Sequence, residues 1–554
     1  MRPGRYSATA PGMRGPLTVT VTVSQKRIEN LILASSEDSA GIIERAVEGV
    51  RAQVLENQTL NVDTVTGATV SCGAILKAAR DAISQAGAGP SDFSQPLGTA
   101  KPVSLRDEEY DVVVVGSGLT GLSAAMKLGA GGVKVLVLEK LAYTGGSSRH
   151  AGGGILSTGS RINRTLGQDC TLDEFISFYE QRSGKQLNRP LLEEIYKVSG
   201  PTFDYFVERG IPVDLASPRP GHPDTKLPVF FAYINKNTPY ETGYGGKQIA
   251  DFMLLLAVQN GAEVRTNANV VSLIVENGSV MGVEVESPAG KYKVWAKNTI
   301  LATGGFTQNP EMVERYAPEY AGTFPFTGAG SHGDGITMTE NLDTVITGEG
   351  MMGLVGFNPN IGYYGEYGSL SSVFLASVSD YTAQVTAPNL FVNKRGESLE
   401  MRDIYYSALL PFVYKQPGKI VYGITSASDA AASRLEAGVA RGVAVKAGSA
   451  SDLAVTFGID AGALNAEVAR QNLTPPLYGV PMRPLFIGSI PGLVVGRHCE
   501  VLNSRGAVIP NLYAGGELIF GNLFDKLYPA SGTGLGFAAY TGVVAAEHIL
   551  ESFR

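Results

Sequence analysis

The 554-residue chain has only three cysteines, Cys72, Cys170 and Cys499, far apart and without CxxC or CxxCH spacing. Iron–sulfur ligation, covalent haem and a disulfide framework are excluded on that ground. No stretch reaches 18 consecutive apolar residues, so no membrane span is expected. The opening run MRPGRYSATAPG lacks the apolar core of a secretory signal. It leaves two expectations for the compartment: cytoplasmic as written, or extracytoplasmic with an export signal removed. Long basic runs are missing too, and a net charge of -7 argues against nucleic acid as a partner.

Glycine is what the chain has in excess: 68 residues, clustered as GG, GGG and GxG groups. Such clusters suggest backbone brought close to a ligand. The length predicts two or three domains. Residues 17–24, LTVTVTVS, alternate as a half-buried strand does; a helical pattern covers 38–57, and AILKAARDAI reads as an amphipathic helix. These predict a small α+β domain over 1–90, followed by a Gly/Pro/Ser-rich linker at 91–105. From Tyr110 the texture becomes DVVVVG, a glycine turn, the helix LSAAMKLGAGG and the strand KVLVLEK, which together make a βαβ unit. NTILATGG at 298–305 and NLYAGGE at 511–517 read as two further strands of the same sheet. The expected fold is therefore α/β, a Rossmann-type domain in two parts (106–345 and 485–554). An α+β cap, rich in Tyr, Gly and Pro, is inserted at 346–484.

Gly116-Ser117-Gly118-Leu119-Thr120-Gly121 lies after a strand and before a helix, and Glu139 ends the next strand at about the spacing of a ribose-binding carboxylate. The glycines let a pyrophosphate approach amides at the positive end of the helix. An ordinary βαβ turn is the bland alternative. FAD rather than NAD is indicated by the extra small residues after Glu139-Lys140: Gly145, Gly146, Ser147, Ser148, Gly152, Gly153 and Gly154. With Ala302-Thr303-Gly304, Asp334 within GDG, Gly516-Glu517, and Gly534-Leu535 in the closing GTGLGFAAYTG segment, the set resembles the fumarate reductase and 3-ketosteroid dehydrogenase flavoprotein superfamily. The resemblance covers nearly all of 106–554 and implies non-covalent FAD at these positions.

Asp63-Thr64-Val65-Thr66-Gly67-Ala68-Thr69 matches the Dxx[ST]GAT pattern of domains that carry FMN through a phosphoester to the last threonine. That resemblance implies covalent FMN at Thr69, a flavin transferase as a partner, and electron flow from an external donor through FMN and FAD to substrate. A helix-capping role for Thr66 or Thr69 is the alternative.

Fumarate reductases hold carboxylates with histidines and an arginine. The corresponding segments here read Pro491-Gly492-Leu493-Val494-Val495-Gly496 and Tyr528-Pro529-Ala530-Ser531-Gly532-Thr533, without those cations. A buried carboxylate lacking cationic partners is costly, so an apolar ketone is the better expectation. Tyr528–Gly532 resembles the YPGAG segment of 3-ketosteroid dehydrogenases, which implies that the Tyr528 hydroxyl and the Gly532 amide polarise a carbonyl. The proton-transfer position, counted from Leu390-Phe391-Val392-Asn393, falls on Tyr406, or on Arg402 if four residues are deleted; Tyr405 and Tyr381 are neighbours to weigh, and Tyr240 and Tyr244 are candidate pocket residues. The expected activity is reduction of the C=C bond of an α,β-unsaturated ketone such as a 3-ketosteroid, with hydride from the flavin N5 and a proton from Tyr406. The alternatives are a reductase of unsaturated carboxylates (fumarate, urocanate or cinnamate type) using Arg402, and an electron-transfer or flavin-storage protein without a substrate.

Overall fold

The computed structural model describes the chain except for residues 12–15, 37–42, 63–68, 90–92, 94–105, 184–186, 223–224, 226, 233–244, 358–389, 402–405, 427–435, 437–438, 441–443 and 554. The continuous apolar run becomes the strand Glu108–Val115, with Val112 to Val115 buried. It lies between two parallel neighbours, Val135–Leu138 and Gly290–Leu301. Glu263–Arg265 adds parallel to the first and Val508–Ala514 parallel to the second. Consecutive residues point to opposite faces, so the burial of all four from Val112 to Val115 means that both faces are covered, which is why they do not alternate. Both late strands expected from NTILATGG and NLYAGGE are in this sheet.

The strand ending in NTILATGG is longer than its apolar tail suggests. Its first half pairs antiparallel with Ser279–Ser287, which pairs in turn with Asn269–Glu276. Asn277 and Gly278 join the last two with positive φ values of 51° and 80°, the geometry of a tight hairpin turn. These solvated strands were not anticipated. Nor was the helix Arg189–Glu208, which buries Leu191, Leu192, Ile195, Phe203 and Phe206 and packs on the final helix, Thr533–Glu551.

The N-terminal unit is a three-stranded antiparallel sheet, Gly4–Pro11, Pro16–Val23 and Ile28–Ser36, with helices Ile43–Asn57 and Thr69–Gln85. Leu17, Val19, Val21 and Val23 turn one face of the middle strand into its own core with Val50, Val54 and Ile75. A second mixed sheet is centred on Leu477–Ser489, flanked by Phe324–Pro325, Met351–Phe357, Val421–Ser426 and Val445–Ala447, with Leu390–Val392 beyond. The boundary expected at 484/485 falls inside this single strand, and Phe324–Pro325 joins the sheet from before the expected start of the cap. No helix of the described residues is long and apolar enough to cross a membrane.

Candidate flavin and substrate site

Four sequence motifs leave the same edge of the parallel sheet. Val115 is in register with Leu138 and with Leu301, and Leu301 with Ala514, so Gly116, Glu139, Ala302 and Gly515 all follow carboxyl ends. Backbone hydrogen bonds carry the ladder one step further, from Gly116 N to Leu138 O (2.8 Å), Ala302 N to Val115 O (2.8 Å) and Gly515 N to Leu301 O (3.0 Å). The crevice outside these ends is where open α/β sheets bind ligands.

The three glycines of the first turn have different reasons to be glycine. Gly116 has φ +103°, and a Cβ there would lie 2.3 Å from the Ala302 carbonyl oxygen. A Cβ on Gly121 would lie 2.0 Å from the Gly116 oxygen, so it permits close helix–strand packing. At Gly118 the nearest atom is Ser148 Oγ at 4.0 Å. Gly118 caps the helix Leu119–Ala130 in ordinary extended backbone, and its missing side chain leaves open room at the helix's positive end. Gly146 faces Gly118, and Ser148 Oγ accepts from Leu119 N (3.2 Å).

Glu139 is buried and held at both oxygens. One accepts from Ser117 N (3.1 Å) and Oγ (2.6 Å), the other from Leu141 N (2.9 Å). Lys140 pairs with Asp334 at 2.5 Å, which ties the end of that strand to the GDG turn. Ser147 Oγ accepts from Gly328 N (3.2 Å), and Gly145 takes the left-handed φ of +104° that its turn requires. Gly152 to Gly154 meet protein: a Cβ on Gly153 would lie 2.5 Å from Gly245, and one on Gly154 2.5 Å from the Phe231 ring. Thr120 packs over Gly515 and Gly516, and Thr541 Oγ1 accepts from Gly516 N (2.9 Å). Leu535 is buried in the first turn of the final helix, beside Gly534.

Thr303 and Ser331 keep buried hydroxyls without a hydrogen-bond partner among the described residues. Orphaned buried polar groups need a partner. Together with the open space at Gly118, they fit a polar ligand such as FAD. Glu517 Oε1 accepts from Ser489 N (2.7 Å) and Oγ (3.0 Å) and lies where a Cβ on Gly305 would be, 2.1 Å away. Burial pushes the Glu517 carboxyl up to about 7, against the two Ser489 hydrogen bonds. Ser489 was missed: it belongs to the second sheet, and no local pattern marks it as a neighbour of GGE.

At the substrate end Tyr528 is buried, and its hydroxyl accepts from Gly534 N (2.7 Å). Gly532 caps the final helix with φ +74°, and a Cβ there would lie 2.6 Å from Val229 and 2.8 Å from Leu156 N. Its carbonyl accepts from Leu156 N (3.1 Å) and Gly536 N (2.9 Å). Among the described residues its amide donates no hydrogen bond. Ser531 N donates to Gly221 O (2.8 Å), which props the turn from a side that the motif did not reveal. Asn522 fixes the Pro491–Gly496 segment by accepting from Val495 N (3.2 Å) and donating to Leu493 O (2.7 Å).

Tyr406 opens the helix Tyr406–Tyr414, but its side chain, together with Arg402, Tyr405, Tyr381, Tyr240 and Tyr244, lies outside the described residues. So do Asp63 to Ala68 and the side chain of Thr69, although the backbone places Thr69 first in the helix Thr69–Gln85. That end is the positive one, suited to a phosphoester.

The chain matches a model for the FAD binding domain over residues 111–359 and 430–535, and one for the FMN-binding domain over 12–84. It is 25% identical to the NADH:acrylate oxidoreductase of Vibrio harveyi over 94% of this chain and 58% of that protein, so it spans little more than half of that relative's length. It is 26% identical to the urocanate reductase of Eggerthella lenta over 92% of this chain and 87% of that one. Among solved structures, a 3-ketosteroid-delta4-(5alpha)-dehydrogenase from Rhodococcus jostii RHA1 superposes with a TM-score of 0.63 at 21% identity, covering 80% of this chain and 98% of that one, which speaks for the fold alone. The chain belongs to the FAD binding domain family of flavoproteins, the superfamily of fumarate reductases and 3-ketosteroid dehydrogenases, and carries an FMN-binding domain ahead of it.

Proposed function

We propose that the protein is an FAD- and FMN-dependent reductase of the C=C bond in an α,β-unsaturated ketone, of which a 3-ketosteroid is one example. The observation that carries this reading is the Tyr528–Gly532 turn. A buried phenol held by the Gly534 amide stands one short loop from a Gly532 amide with no bond among the described residues. Two such donors suit the oxygen of a developing enolate. Neither Pro491–Gly496 nor Tyr528–Thr533 carries a cation for a carboxylate.

FAD, when bound, supplies the hydride. Gly118, Gly146 and the helix behind them would hold its pyrophosphate, and Glu139 its ribose. Thr303 and Glu517 would lie along the rest of the cofactor. Tyr528 and Gly532 orient and polarise the carbonyl, and Tyr406 protonates the α-carbon. Thr69 carries FMN, placed there by a flavin transferase, and relays electrons from an external donor. The cap at about 346–484 closes over the site.

A second reading, reduction of an unsaturated carboxylate with Arg402 as proton donor, is favoured by the names of the acrylate and urocanate relatives. Comparing Tyr406→Phe with Arg402→Lys separates the two. Ours expects Tyr406→Phe to lose at least ~10²-fold in turnover of an enone while Arg402→Lys stays within a few-fold. The reverse pattern would establish the carboxylate reading.

A further inference from the structure

Beside the strand Val508–Ala514, where Glu500 is in register with Tyr513, three side chains with metal-ligating atoms converge. His498 and Glu500 flank the start of the strand Glu500–Leu502, and His548 lies in the last full turn of the final helix. The two imidazoles stack with centroids 4.4 Å apart and planes 19° from parallel. Glu500 Oε1 is 3.5 Å from His498 Nδ1 and 3.9 Å from His548 Nδ1, and one ligand atom from each residue lies within 4.8 Å of the others. The carboxylate is pre-oriented, because its other oxygen accepts from His498 N at 2.8 Å.

We propose that His498, Glu500 and His548 form a site for a divalent cation of the Zn²⁺ class. Two imidazoles and one carboxylate are ligands that zinc, cobalt and nickel accept. A tetrahedral ion with bonds of about 2.0–2.1 Å needs ligand atoms roughly 3.3 Å apart; the two carboxylate–imidazole spacings, 3.5 and 3.9 Å, exceed that by about 0.2 and 0.6 Å, and small side-chain shifts close them. The rings must turn out of their stack to aim their lone pairs at the ion, and their partial exposure, 35% and 31%, leaves room to turn and a position for water. The other groups facing the cluster do not compete strongly. Tyr513 OH lies 3.3 Å from His548 Nδ1 as a single neutral contact. Cys499 turns away, its buried thiol 3.6 Å from the Thr541 carbonyl. His548 stands 14 residues beyond Gly534 on one helix, about 21 Å along its axis at ~1.5 Å per residue. An ion here is therefore structural: it clamps the C-terminal end of the helix whose first turn builds the Tyr528–Gly532 site.

The test uses the full-length flavinylated protein without a polyhistidine tag, stripped with chelator and titrated with ZnCl₂ by calorimetry and with CoCl₂ by visible absorption. Expected are one saturable equivalent per chain, cobalt bands of a four- or five-coordinate site, and a rise of a few degrees in unfolding temperature with zinc. His548→Ala and the near-isosteric Glu500→Gln should each weaken binding at least ~10-fold, with FAD content reporting that both variants are folded. Absence of a saturable equivalent in the wild type, or unchanged binding in His498→Ala/His548→Ala, would overturn the proposal.

Discussion

Replacing Gly118 by alanine separates a glycine kept for a ligand from glycines kept for the fold. Gly118 has φ -66°, which any residue adopts, and only Ser148 Oγ, at 4.0 Å, comes near a Cβ. Alanine therefore strains nothing in the protein. A cost of some tenths of a kcal/mol at a helix cap is offset by a gain of about 0.4–1 kcal/mol from a stiffer unfolded chain. The expected change in stability of the FAD-free protein is within ~0.5 kcal/mol of zero. The same methyl occupies the space through which a pyrophosphate must reach the helix amides, so FAD affinity should fall by roughly 100-fold, about 2.7 kcal/mol. Gly116→Ala behaves in the opposite manner. A φ of +103° costs ~1–2 kcal/mol, and a Cβ 2.3 Å from the Ala302 oxygen adds about 1–3 kcal/mol of forced displacement. Urea unfolding of the FAD-depleted proteins, paired with FAD titration by flavin fluorescence, measures both quantities. Wild-type FAD affinity in Gly118→Ala, or destabilisation equal to that of Gly116→Ala, would refute the assignment of this turn.

Two further perturbations test the flavin sites. Glu517 is held in the fold with its carboxyl raised from 4.5 to about 7. The folded protein thus keeps a proton that the unfolded chain has lost, and its contribution to stability, complete below about pH 4.5, is lost as pH rises to 7, at up to ~1.4 kcal/mol per unit. In Glu517→Gln the unfolding temperature of the FAD-free protein should lose that part of its decline between pH 4.5 and 7; an unchanged profile would place the raised group elsewhere. Thr69→Ala should abolish the flavin fluorescence that survives denaturing electrophoresis when the protein is produced with a flavin transferase, and leave extractable FAD unchanged; a persisting band would move the attachment site.

Four of the parallel strands were readable because each is a short apolar run, two of them ending in glycine pairs, and burial on both faces demands that composition; Glu263–Arg265, at the sheet's edge, has no such run. The hairpin at Asn277-Gly278 had a clear local signal, Asn-Gly between two β-branched segments, but its strands are partly solvated and interrupted by Ser272, Glu276, Glu284 and Glu286. The candidate FAD motifs stand apart along the chain because one cofactor must touch the ends of several strands, and the structure brings those strand ends to one edge of the sheet. Ser489 and Gly221 were not, since each supports the site from a segment whose own sequence answers to packing. His498 and His548 are 50 residues apart, and only the antiparallel return of Glu500–Leu502 onto Val508–Ala514, beneath the final helix, brings them together. Gly153 shows the converse: it was read as a flavin contact, and the geometry already requires a glycine there to pass Gly245.

The central claim is the class of substrate, and the direct measurement is turnover by the fully flavinylated protein with a chemically reduced viologen dye as donor. A panel of enones, including a 3-ketosteroid, is compared with fumarate, urocanate and cinnamate. The Tyr528–Gly532 turn predicts dye oxidation with the enones and little with the acids. Activity confined to the carboxylates would contradict it.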